Sequence, residues 1–492
     1  MKIKITARKV VLLSFLVVLL FALHPSLFLI CVYAKDQKAL TKNESSLIQD
    51  ASNLNRVKID TVVKVSNHID EAAMQIKNLI KLATEQKKSI SIAGAQHTMG
   101  GHTIYKNGIM LDMKGFNYMK LDTSNNFLLV GSGALWSRII PYLDQYGKSV
   151  KVMQSNNSFS VGGSVSVNCH GWQANSSPIA STVESFRLIN SSGQILNCSR
   201  NENTELFSLV LGGYGLFGVI LDLKLKITDN KTYITKQYIT KSKDYFTAFK
   251  KHLERDTNIE MAYGRININP DKFMEEAIIS TYTVKSGVSN KNNDNTFPAF
   301  RRILFRGTVN SPYGKNLRWS TEKFAAHVID GKAFSRNKLL GEEVEVFQNT
   351  DPDYTDILHE YFVPGDSLAS FIEAVQKIVP RYHVDLLNIT VRNVRNDNDT
   401  FLSYAKGEMF GLVMLFNQKK DNVAEKEMNA LTQNLINAAI RCKGTYYLPY
   451  RLHASKALMY SAYPDAKTFF ELKRKYDPLQ VFRNQFYEKY KP

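Results

Sequence analysis

Three glycine-rich stretches in the first half of the chain limit what it can fold into more than any other feature. Ala93-Gly94-Ala95-Gln96-His97-Thr98-Met99-Gly100-Gly101-His102 follows the β-branched run Ser89-Ile90-Ser91-Ile92. Ser160-Val161-Gly162-Gly163-Ser164-Val165-Ser166-Val167-Asn168-Cys169-His170-Gly171 comes next, and Gly212-Gly213-Tyr214-Gly215-Leu216-Phe217-Gly218-Val219-Ile220 closes the set. A loop poor in side chains and free to take positive φ lets several backbone N–H groups converge on a diphosphate. Three such loops in one domain predict one large, extended, anionic ligand. A dinucleotide fold of the doubly wound kind would need G-x-G-x-x-G between a strand and a helix, with an acidic residue about 20 positions on. No segment meets that pattern.

The rest of the chain is globular in composition. Its 492 residues exceed the usual range of roughly 100–200 for one domain, so two lobes are expected. Apolar residues recur at helical spacing in Asp70–Gln86, through Ala72, Ala73, Ile76, Leu79, Ile80 and Ala83. Trp136–Tyr146 and Glu202–Leu211 read as further helices between the strand-like runs Phe127–Val130, Val183–Asn190 and Val219–Ile227. This is an α+β lobe with mixed sheets. Past Thr228 the runs Thr232–Ile239, Ala277–Tyr282 and Gly411–Phe416 alternate with the helical Ser367–Val379 and Asn422–Ala439, which predicts a sheet backed by helices. Ser286–Asn295, rich in Asn, Ser, Lys and Asp, reads as a mobile loop near the mouth of the site or the membrane.

In order and spacing the three stretches resemble the flavoproteins of the vanillyl-alcohol oxidase type, with their p-cresol methylhydroxylase (PCMH-type) FAD-binding domain. The resemblance runs from Val57 to Thr228 and resumes in the last fifty residues, where Asp477-Pro478 and Val481-Phe482-Arg483-Asn484 are similar to the family's terminal D-P-x-x-x-F-x-N. After a signal peptide or N-terminal membrane anchor at residues 1–34, it implies an α+β fold with a two-part FAD-binding domain at 56–229, a substrate-binding cap at 230–444 and a C-terminal return at 445–492. It also implies FAD contacts from Gly94, Ala95, Gln96, His97, Thr98 and Met99, with Gln96 standing where a glycine is common. The second and third loops would add Ser160, Gly162, Gly163, Ser166, Gly171, Gly218 and Val219, and Asn484 would come from the C-terminal return. In the family a histidine at the place of His97 often carries the flavin covalently. A hydrogen bond from His97 to the pyrophosphate is the other role open to it. Ser158 stands near where doubly attached relatives have a cysteine.

The resemblance is nearest to the aldonolactone oxidases and decaprenyl-phosphoryl-ribose oxidases. Tyr450-Arg451-Leu452-His453-Ala454-Ser455-Lys456 lies where lactone oxidases carry H-W-A-K, with Ala454 in place of the tryptophan. Lys456, Arg451 and His453 are therefore candidates for substrate orientation and charge stabilisation, Tyr450 for a proton relay, and His170 for a catalytic group from the opposite wall. Asn388 and Arg392 are assigned to the same pocket by family position. The expected activity is oxidation of an alcohol carbon in a sugar-like, lactone or lipid-linked substrate, with oxygen or another acceptor taking the electrons. A reductase driven by reduced nicotinamide and a non-catalytic, membrane-associated binding protein are the alternatives.

The N-terminus carries its own message. Lys2, Lys4, Arg8 and Lys9 precede the apolar run Val10–Leu23, and Val32-Tyr33-Ala34 suits an export-signal cleavage site. Uncleaved, the 24 residues Val10–Tyr33 could anchor the protein in a bilayer about 30 Å thick. An exported protein, periplasmic or secreted, is the first reading and a membrane-anchored one the second. Cleavage would take four cations and no acid, lowering the net charge from +18 to +14. No nucleic-acid motif accompanies this charge, so nucleic acid is not an expected partner. Its densest part, Arg301–Lys338, reads as a solvated face or as attraction to an anionic membrane surface or a phosphorylated substrate. Cys169, Cys198 and Cys442 give no disulfide framework, and neither they nor the histidines show metal-ligand spacing.

Overall fold

The computed structural model describes residues 23–37, 49–285, 298–342 and 347–492. The loop expected at Ser286–Asn295 and the first 22 residues lie outside that set.

The first lobe holds two sheets. A three-stranded parallel sheet runs Thr61–Lys64, Ile109–Asp112, Ile90–Ala93 in spatial order. Helix Ile69–Glu85 covers it by burying Ala72, Ile76, Leu79, Ile80 and Ala83, the stripe that the sequence spacing predicts. The chain's end completes this unit. Ile90 N–H donates to Val481 C=O at 2.7 Å and Arg483 N–H to Ile90 C=O at 3.0 Å, so the last segment adds on beside the strand that feeds the first glycine-rich loop. The second sheet orders its strands Met119–Asp122, Phe127–Gly131, Val219–Asp229, Val183–Ile189 and Ile195–Ser199, with Lys148–Val150 also paired to Val219–Asp229.

The second lobe is one eight-stranded antiparallel sheet, extending from Ala333–Ser335 at one edge to Thr445–Tyr446 at the other. Its long strands include Thr232–Lys241, Glu276–Val284, Asp385–Val394, Met409–Lys419 and Tyr354–Pro364. Helices Leu368–Ile378 and Asn422–Arg441 cover its back, burying Phe371, Ile372 and Val375 from one and Leu431, Leu435 and Ile436 from the other. The front face looks toward the glycine-rich loops.

The second glycine-rich stretch departs from the loop reading. Val161–Ser166 forms a short helix whose close packing depends on Gly162, where an added Cβ would sit 2.8 Å from the Ser132 Cβ. The basic stretch Arg301–Lys338 also differs from a solvated face. Arg302 pairs with Asp36, Arg306 with Asp356, Lys315 with Asp385 and Lys323 with Glu276, all acids from distant segments, while Arg318 pairs with Glu322 one helical turn on. Among the described residues no helix is long and apolar enough to cross a membrane.

Candidate active site

The three glycine-rich loops converge because they are tied to one another. Ala95 N–H donates to Ser160 Oγ at 3.3 Å, and a side chain at Gly94 would put its Cβ 2.0 Å from that oxygen. Gly212 N–H donates to Val165 C=O and Tyr214 N–H to Ser166 C=O, binding the third loop to the second. Gln96 has φ 57°, the left-handed conformation that explains why a glycine is common there in relatives. Asn484 is not in the cavity wall. Its buried amide Nδ2 donates to His102 C=O and Tyr214 C=O, joining the first loop to the third from behind.

Between these loops and the front of the cap sheet lies a cavity of about 1550 Å³. Small-molecule sites usually measure roughly 300–1,000 Å³, so this one has room for a large cofactor and a second molecule. Gly94, Ala95, Gln96, His97, Thr98 and Met99 line it from the first loop. Ser160, Gly162, Gly163, Ser166 and Gly218 line it from the second and third. Gly171 and Val219 do not: a Cβ on Gly171 would meet Met153 C=O at 2.1 Å, and Val219 is packed in the core. In the same wall the buried hydroxyls of Thr98, Thr103 and Ser132 have no hydrogen-bond partner. Buried polar groups rarely stay unsatisfied. A wall of small residues with unpaired donors suits the FAD pyrophosphate and ribityl chain.

His97 faces the cavity, its ring stacked on Phe159 at 4.0 Å and its Nε2 3.2 Å from Ser158 Oγ.

The opposite wall is the front of the cap sheet, and strand register explains its membership. Side chains alternate between faces, so Leu358 and Glu360 face the cavity while His359 faces the helices behind. Neighbouring strands bring Val413 opposite Glu360, and Asn388, Thr390 and Arg392 in from the next one. Glu360, which sequence reasoning missed, is the centre of this wall. It is 3% exposed, and its Oε1 lies 2.7 Å from His170 Nε2 without the alignment of a hydrogen bond. Tyr450 Oη donates to Glu360 Oε2 at 3.4 Å. Burial pushes the Tyr450 phenol well above its ordinary range, and the neighbouring carboxylate adds to that, so it stays a neutral donor. The His170 ring stands among Phe362, Tyr404 and Tyr447 with centroids 5.2–5.8 Å away. A Cβ on Gly411 would lie 3.1 Å from Glu360 Oε1. That glycine, the register partner of Arg392, keeps the space beside the carboxylate open.

The segment 450–456 divides differently from the expectation. Tyr450 lines the cavity, but Arg451, His453 and Lys456 do not. Arg451 turns back to Asn55 Oδ1 at 2.8 Å and to Glu425. His453 is buried behind the sheet, with Nδ1 2.8 Å from Thr432 Oγ1 and Nε2 3.0 Å from Glu425 Oε1. Lys456 is exposed at the start of helix Lys456–Ala462 and donates to Lys491 C=O at 2.6 Å. These three are corrected to structural positions: the chain passes the sheet edge after Tyr450 and continues on its outer side.

Glu425 anchors that turn. Burial alone would push its carboxyl up, but the His453 hydrogen bond and the Arg451 charge outweigh it and hold the group at about 2. A carboxyl depressed in the folded state stabilises above its unfolded value of about 4.3, and this is lost as pH falls through the folded value. The deficit in thermal midpoint of Glu425→Gln relative to the native protein should therefore shrink as pH drops from about 5 to about 3. A deficit constant over that window would show that the charge of Glu425 does not hold the turn.

Fold, cavity and donor set define a flavoprotein with a PCMH-type FAD-binding domain. Comparison with known proteins agrees: residues 71–199 match the family of FAD binding domains. Residues 71–199 thus form an FAD-binding domain, and FAD is the cofactor. The chain is 26% identical over 240 residues to cytokinin dehydrogenase 2 of Arabidopsis thaliana, covering 48% of this chain and 46% of that protein. It is 20% identical over 426 residues to L-gulonolactone oxidase of Bos taurus, covering 84% and 92%. With the mitochondrial L-galactono-1,4-lactone dehydrogenase of Brassica oleracea it shares 21% identity over 193 residues, 39% of this chain and 32% of that one. The chain thus spans less than half of the two dehydrogenases and most of the lactone oxidase.

Proposed function

We propose that this protein oxidises a secondary or primary alcohol carbon of a sugar-like or lactone substrate, with Glu360 as the proton acceptor. The observation that carries the reading is the buried carboxylate of Glu360, held between His170 and Tyr450 in the cavity wall facing the glycine-rich loops. Bound FAD supplies the two-electron acceptor for the hydride that leaves the alcohol carbon. Glu360 takes the hydroxyl proton, so that the C–H and O–H bonds break and a carbonyl forms. Tyr450, neutral and hydrogen-bonded to Oε2, and His170, beside Oε1, position the carboxylate in the cavity wall. Arg392, whose Nη2 donates to Ser155 Oγ at 2.6 Å while its buried Nε has no partner, orients a substrate oxygen. Gln237, Ser280, Asn388 and Thr390 give the rest of this face a polar lining suited to a molecule with several hydroxyls. The similarity to L-gulonolactone oxidase over most of both chains supports the same substrate class.

Anaerobic mixing of the flavin-loaded protein with alcohols, aldoses and aldonolactones should bleach its visible absorbance with at least one of them. Bleaching by reduced nicotinamide and by none of the alcohols would replace this reading with the reductase. Covalent attachment through His97 is part of the same proposal. Acid-precipitated protein should retain yellow flavin in the pellet, and His97→Ala should release it to the supernatant. Flavin freed from the unsubstituted protein would leave His97 with a hydrogen-bonding role.

A further inference from the structure

Residues 23–37 form a helix lying on the cap helices Pro298–Arg306 and Pro312–Ile329. Its inner stripe is Pro25, Phe28, Leu29, Val32 and Asp36, at helical spacing and all less exposed than their neighbours. The Phe28 ring covers the place where the two cap helices come closest: Cβ atoms on Gly307 and Gly314 would each lie 3.1 Å from it. Tyr313 meets both His24 and Phe28 edge-on, at 4.6 and 5.1 Å. At the far end Asp36 is buried, bonded to Arg302 at 2.6 and 2.8 Å. This is a fitted seat, and cutting the chain after Ala34 would remove most of what fills it.

The outer stripe is apolar too. Leu27 is 57% exposed and Ile30 61%, with Leu23 and Tyr33 beside them. On the same side of helix Pro312–Ile329 as Tyr313, Phe324 is 71% exposed and Val328 is also open. A helix apolar on all sides is stable only when buried or in contact with lipid. The chain itself names the occupant, because the apolar run Val10–Leu20, preceded by Lys2, Lys4, Arg8 and Lys9, leads directly into this helix.

We propose that residues 23–37 stay with the protein and, with the outer face of helix Pro312–Ile329, dock the cap on a lipid bilayer. The contact is apolar rather than electrostatic, since the basic stretch beneath it is paired with acids of the same chain. The outer side chains lie at the headgroup boundary, where apolar faces of interfacial helices sit about 5–10 Å deep.

The test uses the full chain with FAD bound. Intact mass of the protein recovered from membranes should include residues 23–37, and cleavage after Ala34 would overturn the proposal. Flotation with phosphatidylcholine vesicles should persist in high salt, and failure to float would overturn it as well. Because the leader alone could tether the protein, depth must be read on the cap. Phe324→Trp should lose emission on vesicles of brominated phosphatidylcholine relative to plain ones, while Met74→Trp, exposed on the first lobe, should not. Equal quenching, or none, at position 324 relative to position 74 would show that the cap does not face the bilayer. None of these readouts depends on the alcohol oxidation proposed above.

Discussion

Glu360→Gln should lower turnover by about 10²- to 10⁴-fold, the usual weight of a positioned proton acceptor, while flavin content and thermal midpoint stay near those of the native protein. The amide has the size of the carboxylate and can still accept from Tyr450, so the wall of the cavity is preserved and only the proton acceptor is removed. Lys456→Ala provides the contrast. Its side chain is on the surface, outside the cavity, with Nζ on a backbone carbonyl, and a surface change of this kind shifts stability by no more than about 0.5 kcal/mol, so both stability and turnover should stay near those of the native protein. Steady-state rates normalised to bound flavin decide both. A large loss at Lys456 with none at Glu360 would reverse the assignment and return the chemistry to the C-terminal segment.

Asp477→Ala should destabilise the protein by about 3–5 kcal/mol, as expected when one partner of a buried ion pair is removed. Lys473 and Asp477 are both 0% exposed and pair one helical turn apart. Burial pulls the Lys473 ammonium down to about 8, with Asp477 holding it up, and without that carboxylate a buried cation stands alone. Asp477 also accepts from Val481 N–H and Phe482 N–H at 2.9 Å, fixing the segment that pairs with Ile90 ahead of the first glycine-rich loop. Flavin content should therefore fall together with the urea midpoint. Lys473→Met with Asp477→Asn should recover part of the loss, because it leaves no unpaired charge and keeps an acceptor for one of the two N–H groups. If the double variant is as unstable as Asp477→Ala, the charge pair is not what matters there.

Much of the first lobe could be read along the chain. Helix Ile69–Glu85 and strands Ile90–Ala93 and Val219–Asp229 carry local periodicity that survives in the fold. Glycine-rich loops are legible because they limit the backbone of their own residues. The cap was harder. The strand Tyr354–Pro364 contains two acids, and one of them, Glu360, directly precedes the apolar Tyr361-Phe362-Val363; a carboxylate in such surroundings was the available sign of a buried polar group with a function. The H-x-x-K spacing of His453 and Lys456 pointed the other way because spacing in an irregular segment says nothing about which side of a sheet edge it passes.

By itself the sequence determined a large, extended, anionic ligand and the α+β character of the first lobe, since these follow from backbone freedom and from patterns within about twenty residues, and the resemblance carried by the same loops pointed to the flavin. Only the tertiary structure decided which charged groups reach the cavity. Glu360, His170 and Tyr450 lie far apart in the chain, and what joins them is strand register and the turn at the sheet edge. The seat of the N-terminal helix is of the same kind: the packing around Phe28 and the Asp36–Arg302 pair depend on residues nearly three hundred positions away, so no local pattern in the sequence shows them.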